Sequence, residues 1–93
     1  MPETFFDIRW PDGQEETCYS PSSVITEFLQ SESDYPLPEF VSRSESALTR
    51  ASERVKLKYG YYCSSAADQL QKIRQTAARY GAADRVTVLR IHH

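Results

Sequence analysis

Histidine is nearly absent from this 93-residue chain, occurring only as the terminal pair His92 and His93. The interior therefore lacks the usual base that turns a cysteine or serine into a nucleophile. Cysteine is as scarce. Cys18 and Cys63 are too few for a disulfide framework, and neither their spacing nor that of the histidine pair suits a metal site. Gly13, Gly60 and Gly81 stand alone, so no glycine-rich loop exists to cradle a phosphate. No apolar run approaches the ~20 residues that span a bilayer. The opening MPETFFDIRW lacks the basic-then-apolar order of a signal peptide. These absences predict a cytoplasmic chain with no membrane, metal or cofactor, whose cysteines are small buried hydrophobes. There is no internal repeat, and the paired terminal histidines fit a purification-tag remnant at least as well as native sequence.

What is present is an ordinary globular composition. Hydrophobic residues make up 40% and charged residues 26%, close to the average of folded domains. The length predicts a single domain over residues 1–93. A chain this short buries only about 60–65% of its unfolded surface, which leaves room for a partner or a second copy in the native state. The net charge of −2 argues against a sequence-independent grip on nucleic acid. It also conceals an asymmetry. In residues 1–37 eight acids face one base, Arg9, for a formal −7; in residues 38–93 ten bases face five acids, for +5. Either the acidic part packs beside basic helices, or the surface is bipolar and docks a partner or another copy.

The pattern reads as strand, strand, helix, helix, helix, strand. Residues 4–10 alternate, with Phe6, Ile8 and Trp10 on one face, and Pro11-Asp12-Gly13 makes a turn into a second strand at 14–19. A type I turn with a glycine bulge, the best fit, sets Arg9 against Glu15 and Phe6 against Cys18; a two-residue loop would set Arg9 against Glu16. Ser20-Pro21 predicts a short helix carrying Val24, Ile25, Phe28 and Leu29, followed by a loop at 30–35. The longest helix is predicted from Leu37 to about Tyr59 with Gly60 as a left-handed cap. Its core arc holds Leu37, Phe40, Val41, Leu48, Ala51, Val55 and Tyr59. A third helix runs from Ser64 or Ser65 to Tyr80, with Ala66, Leu70, Ile73, Ala77 and Tyr80 inside, and residues 85–91 close as a strand. The expected fold is α+β: a small antiparallel sheet, made of the N-terminal hairpin plus the C-terminal strand, packed against three helices. The last strand fits beside either the first or the second. A winged-helix-like arrangement is the alternative.

Two surface features and one thiol are candidate sites. Arg43, Arg50, Arg54 and Lys58 share one flank of the long helix, as a solvated face or as a docking stripe. Trp10, Tyr61 and Tyr62 lie near element ends, where aromatic rings serve an interface or enlarge a small core. Cys18 precedes a helix start whose dipole could lower its pKa, although as an inward strand residue it packs.

The stretches Arg9-Trp10-Pro11-Asp12-Gly13, Cys18-Tyr19-Ser20-Pro21-Ser22 and Ala51-Ser52-Glu53-Arg54-Val55-Lys56, followed by Lys58-Tyr59-Gly60 and Cys63-Ser64, resemble a small bacterial family of nitrogen starvation response proteins. The likeness covers roughly residues 1–79. Members of that family are encoded in gene clusters built around a nitrilase. Those clusters also carry a radical-type iron-sulfur enzyme, an acetyltransferase, a flavin-dependent oxidoreductase and a protein similar to a purine-biosynthesis synthase. The resemblance implies an accessory role in a nitrile or nitrogenous small-molecule pathway, with a pathway enzyme such as the nitrilase or the flavin-dependent oxidoreductase as partner. It implies no reaction and no catalytic residues. The leading expectation is a non-enzymatic protein-binding component; a nucleic-acid-binding regulator and a small enzyme or ligand carrier using Cys18 are the alternatives.

Overall fold

The computed structural model of the chain describes residues 3–60 and 64–92. Strands β1 (Thr4–Arg9) and β2 (Glu15–Ser20) form the hairpin in the glycine-bulge register: Arg9 pairs with Glu15 and Phe6 with Cys18. The Trp10 N–H donates to the Gln14 carbonyl and the Gly13 N–H to the Trp10 carbonyl, both at 2.8 Å. Gly13 takes φ 94°, a conformation that a Cβ would strain.

The segment after β2 departs from expectation twice. No α-helix forms at Ser20-Pro21. Instead a five-residue 3-10 helix, Ser23–Glu27, begins at Ser22, whose Oγ accepts the Val24 N–H. One turn suffices to bury Val24, Ile25 and Leu29, and the β-branched run Val24-Ile25-Thr26 does not favour continuing it. The expected loop then contains a strand, β3 (Ser33–Pro36). Four residues carry too little periodicity to be read alone. Pairing with the last strand creates this one, and it buries Tyr35, whose hydroxyl accepts the Gln30 N–H at 3.0 Å.

Helix α1 (Leu37–Tyr59) has the predicted bounds and ends at Gly60, in the left-handed region at φ 84°. Helix α2 (Ser64–Ala77) stops a turn short of Tyr80. The two α-helices and the 3-10 turn replace the three helices expected, and the winged-helix alternative falls with them. The final strand, β4 (Arg85–His92), settles beside β1, giving an antiparallel sheet in the order β2-β1-β4-β3. A bulge at Leu89 shifts its register, so that Asp7 pairs with Arg90 but Ile8 with Val88.

One face of the sheet supplies Phe6, Ile8, Cys18, Tyr35, Val86 and Val88 to a core completed by Trp10, by Leu37, Phe40, Ala47 and Leu48 of α1, and by Ala66 and Ile73 of α2. The opposite face is polar apart from Phe5 and Tyr19, whose ring centroids lie 5.8 Å apart, close to the usual division in an antiparallel sheet covered on one side. Tyr59, expected on the core arc, is 53% exposed. At ~1.5 Å per residue α1 is about 34 Å long. Past Val55 its last turn contributes no buried side chain.

Candidate functional site

The basic flank of α1 is set by sequence spacing, since steps of seven and four residues return to one side of a helix. Its members have different surroundings. Arg43 turns toward the connection between β2 and β3: its Nη1 donates to the Phe28 carbonyl at 2.8 Å, and its guanidinium lies 5.0 Å from the centroid of the Tyr35 ring. Arg50 lies over the Phe28 ring at 5.7 Å, and Arg54 reaches Glu27 at 3.8 Å. Three of the four cations thus meet the segment at 27–35, which belongs to the acidic part of the chain. Lys58 instead lies over the ring of Tyr59, its neighbour on the exposed tip of the same helix, at 5.5 Å.

That tip follows Val55, the last buried residue of α1. Leu57 is 88% exposed and, with Tyr59, is one of the two large apolar side chains left exposed among the described residues. Lys56 and Lys58 flank Leu57, so the tip combines positive charge with apolar surface.

Trp10 is a core residue. Only 2% exposed, it donates from Nε1 to Glu16 at 3.1 Å, stands edge-on to Phe40 and stacks on Tyr80. Its ring is not presented to a partner. Tyr61, Tyr62, Cys63 and His93 lie outside the described residues.

Cys18 is fully buried opposite Phe6 with its Sγ 3.8 Å from a Glu16 oxygen. Burial, and next the Glu16 carboxylate, push its pKa up, so the protonated thiol is the resting form. The helix dipole invoked from sequence is missing, because the element after β2 is a single 3-10 turn. Among the described residues no group of three or more His, Cys, Asp or Glu side chains could hold a metal ion, and no helix is long and apolar enough to cross a membrane.

A polar cluster escaped the sequence reading. Asp7, 8% exposed on the polar face of the sheet, accepts from Thr17 Oγ1 at 2.7 Å and Arg90 Nε at 2.6 Å, with His92 Nε2 3.3 Å away. The Arg90 guanidinium first, then the Thr17 hydroxyl, hold the Asp7 pKa down to about 2. Hairpin register alone places Thr17 beside Asp7. Arg90 and His92 arrive only with β4, and no local signal announces them.

The motifs at 9–22 and 51–60 thus fall on a hairpin and on the outer half of the long helix. A family model described as nitrogen starvation-induced protein NitG matches residues 5–91. The chain belongs to this family. Its match runs through β1 and the hairpin, both α-helices and nearly all of β4, so the sheet and its helical cover belong to the family's shared region. Searches of curated proteins and of solved structures each return no significant match.

Proposed function

We propose that this member of the nitrogen starvation-induced family is a non-enzymatic accessory protein that binds a protein partner through the exposed, basic end of α1. The observation carrying the reading is Leu57: 88% exposed, between Lys56 and Lys58, on a turn of helix that contributes no buried residue to its own fold. A contact with another molecule would bury this side chain, which its own fold leaves in water. Lysines on either side of an apolar centre suit an acidic partner, with the charges governing encounter and Leu57 supplying burial. In a gene cluster built around a nitrilase, as the resemblance implies, the nitrilase and the flavin-dependent oxidoreductase are the partners to test.

The test is co-purification of the tagged chain with each of those two enzymes, expressed together. The wild-type chain is expected to retain one of them. Leu57→Glu with Lys58→Glu should abolish retention while leaving the thermal midpoint within a degree or two. Retention of neither enzyme by the wild-type chain, or undiminished retention by the double variant, contradicts the reading.

A further inference from the structure

Strand β2 is one edge of the sheet, and hairpin closure fixes which of its backbone groups face outward. The bonds joining Trp10 with Gln14 and Gly13 set the phase, and bonded pairs alternate from there. Glu16, Cys18 and Ser20 therefore bond to β1, while Glu15, Thr17 and Tyr19 turn their N–H and C=O groups away from it. The Tyr19 N–H obeys this phase, donating outward to Oε1 of Gln69 on α2 at 3.0 Å. Gln69 so closes the edge at Tyr19. Glu15 and Thr17, both exposed, keep outward groups that no described residue pairs. The other edge is protected by its form, since β3 has four residues and ends in Pro36.

Charge selects what this edge can take. Glu15 and Glu16 are consecutive on it and project to opposite faces, Glu15 exposed beside Arg9 at 3.3 Å and Glu16 accepting from Trp10 Nε1 at 3.1 Å; with Asp12 in the adjoining turn, three acids stand there against one base. A second copy fits badly: a twofold axis through Glu16 opposes two Glu16 carboxylates, and an axis through Thr17 needs the Tyr19 N–H that Gln69 already holds. We propose that the edge at 15–17 takes an extended basic segment of another protein as an added antiparallel strand, with a lysine or arginine side chain meeting the exposed Glu15 carboxylate. Main-chain bonds to Glu15 and Thr17 supply the pairing, and the Glu15 carboxylate favours a basic sequence over an acidic one. This surface lies on another element from the α1 tip and has the opposite sign, so it goes beyond the function proposed above.

The experiment is an NMR titration of the full-length chain with a six-residue peptide of alternating lysine and valine. Controls are a glutamate-valine counterpart and a lysine-valine peptide N-methylated on the amides that would face β2. The expected result is a saturable shift of the Glu15 and Thr17 amides with at least fivefold slower hydrogen exchange, absent with both controls. Glu15→Pro removes one outward N–H and no backbone bond to β1, along with the exposed ion pair to Arg9, and should weaken binding tenfold or more. Glu15→Lys, which keeps the backbone donor, should weaken it through charge alone and serves if the proline variant does not fold. No saturable shift with the lysine-valine peptide overturns the proposal. An equal response to the N-methylated peptide does so too, by showing charge contact without strand pairing. So does a concentration-dependent dimer through the same amides, which would make a second copy the occupant.

Discussion

Ser44 lies fully buried midway along α1, and its Oγ has no hydrogen-bond partner among the described residues. An orphaned hydroxyl forfeits its hydration without replacement, at about 1–3 kcal/mol, and alanine is also the better helix former. Ser44→Ala is therefore expected to stabilise the fold by about 1 kcal/mol, raising the thermal midpoint by about 4–8 °C for a domain of this size. A lowered midpoint would reveal a partner for that hydroxyl. Asp7 behaves in the opposite way. Its carboxylate is held by Arg90 and Thr17, and its folded pKa, about 2, lies below the ordinary 3.8. A group whose pKa is depressed on folding contributes stability above its unfolded pKa, and that contribution fades as pH falls from about 4 through about 2. Thermal midpoints followed from pH 6 to pH 2 should fall more steeply below pH 4 for the wild type than for Asp7→Asn.

The segment between β2 and β3 is held to α1 by groups of unequal worth. Ile25 and Leu29 anchor it from below by burial, and Arg43 clasps it from the side through the Phe28 carbonyl and the Tyr35 ring. A half-buried, charge-assisted bond of this kind is worth more than an exposed ion pair. Arg43→Ala should cost about 1–3 kcal/mol in urea unfolding. Lys58→Ala, on the exposed tip, should stay within about 0.5 kcal/mol of the wild type. Equal losses from the two would show that the flank acts as one field of charge.

Over the whole molecule the opposed charges of the two parts of the chain partly cancel in contact. Glu27 with Arg54, Asp34 with Arg85 and Asp7 with Arg90 each join an acid from residues 1–37 to a base from residues 38–93. Reversing the middle of the α1 flank should therefore be felt within the chain. Arg50→Glu with Arg54→Glu sets like charge beside Glu27, and is expected to lower the unfolding midpoint while leaving the mass by light scattering unchanged. Sodium chloride at 1 M, where the Debye length is ~3 Å, should shrink the difference between variant and wild type. A variant that keeps its midpoint would return Arg50 and Arg54 to the role of a solvated face.

The hairpin register and both ends of α1 were legible because their causes are local. Gly13 and Gly60 supply the positive φ that a bulged turn and a helix end require, and apolar spacing of three and four residues marks the buried side of α1. Membership of the family was legible for a similar reason, as its motifs are short and contiguous. Local pattern could not foresee β3, which exists because β4 lies beside it, nor the end of α2, where Tyr80 leaves the helix to stack on Trp10. The candidate sites divide along the same line. Sequence placed four cations on one flank, but only packing distinguished Arg43, clasping a buried connection, from Lys58 on an uncovered tip. For Trp10 the sequence left core and interface both open, and for Cys18 it favoured packing over reactivity; the closed sheet buries both, because burial is decided by what the rest of the chain brings into contact. The Asp7 cluster and the open edge of β2 have the same origin: each depends on strand neighbours far apart in sequence, which tertiary pairing alone selects.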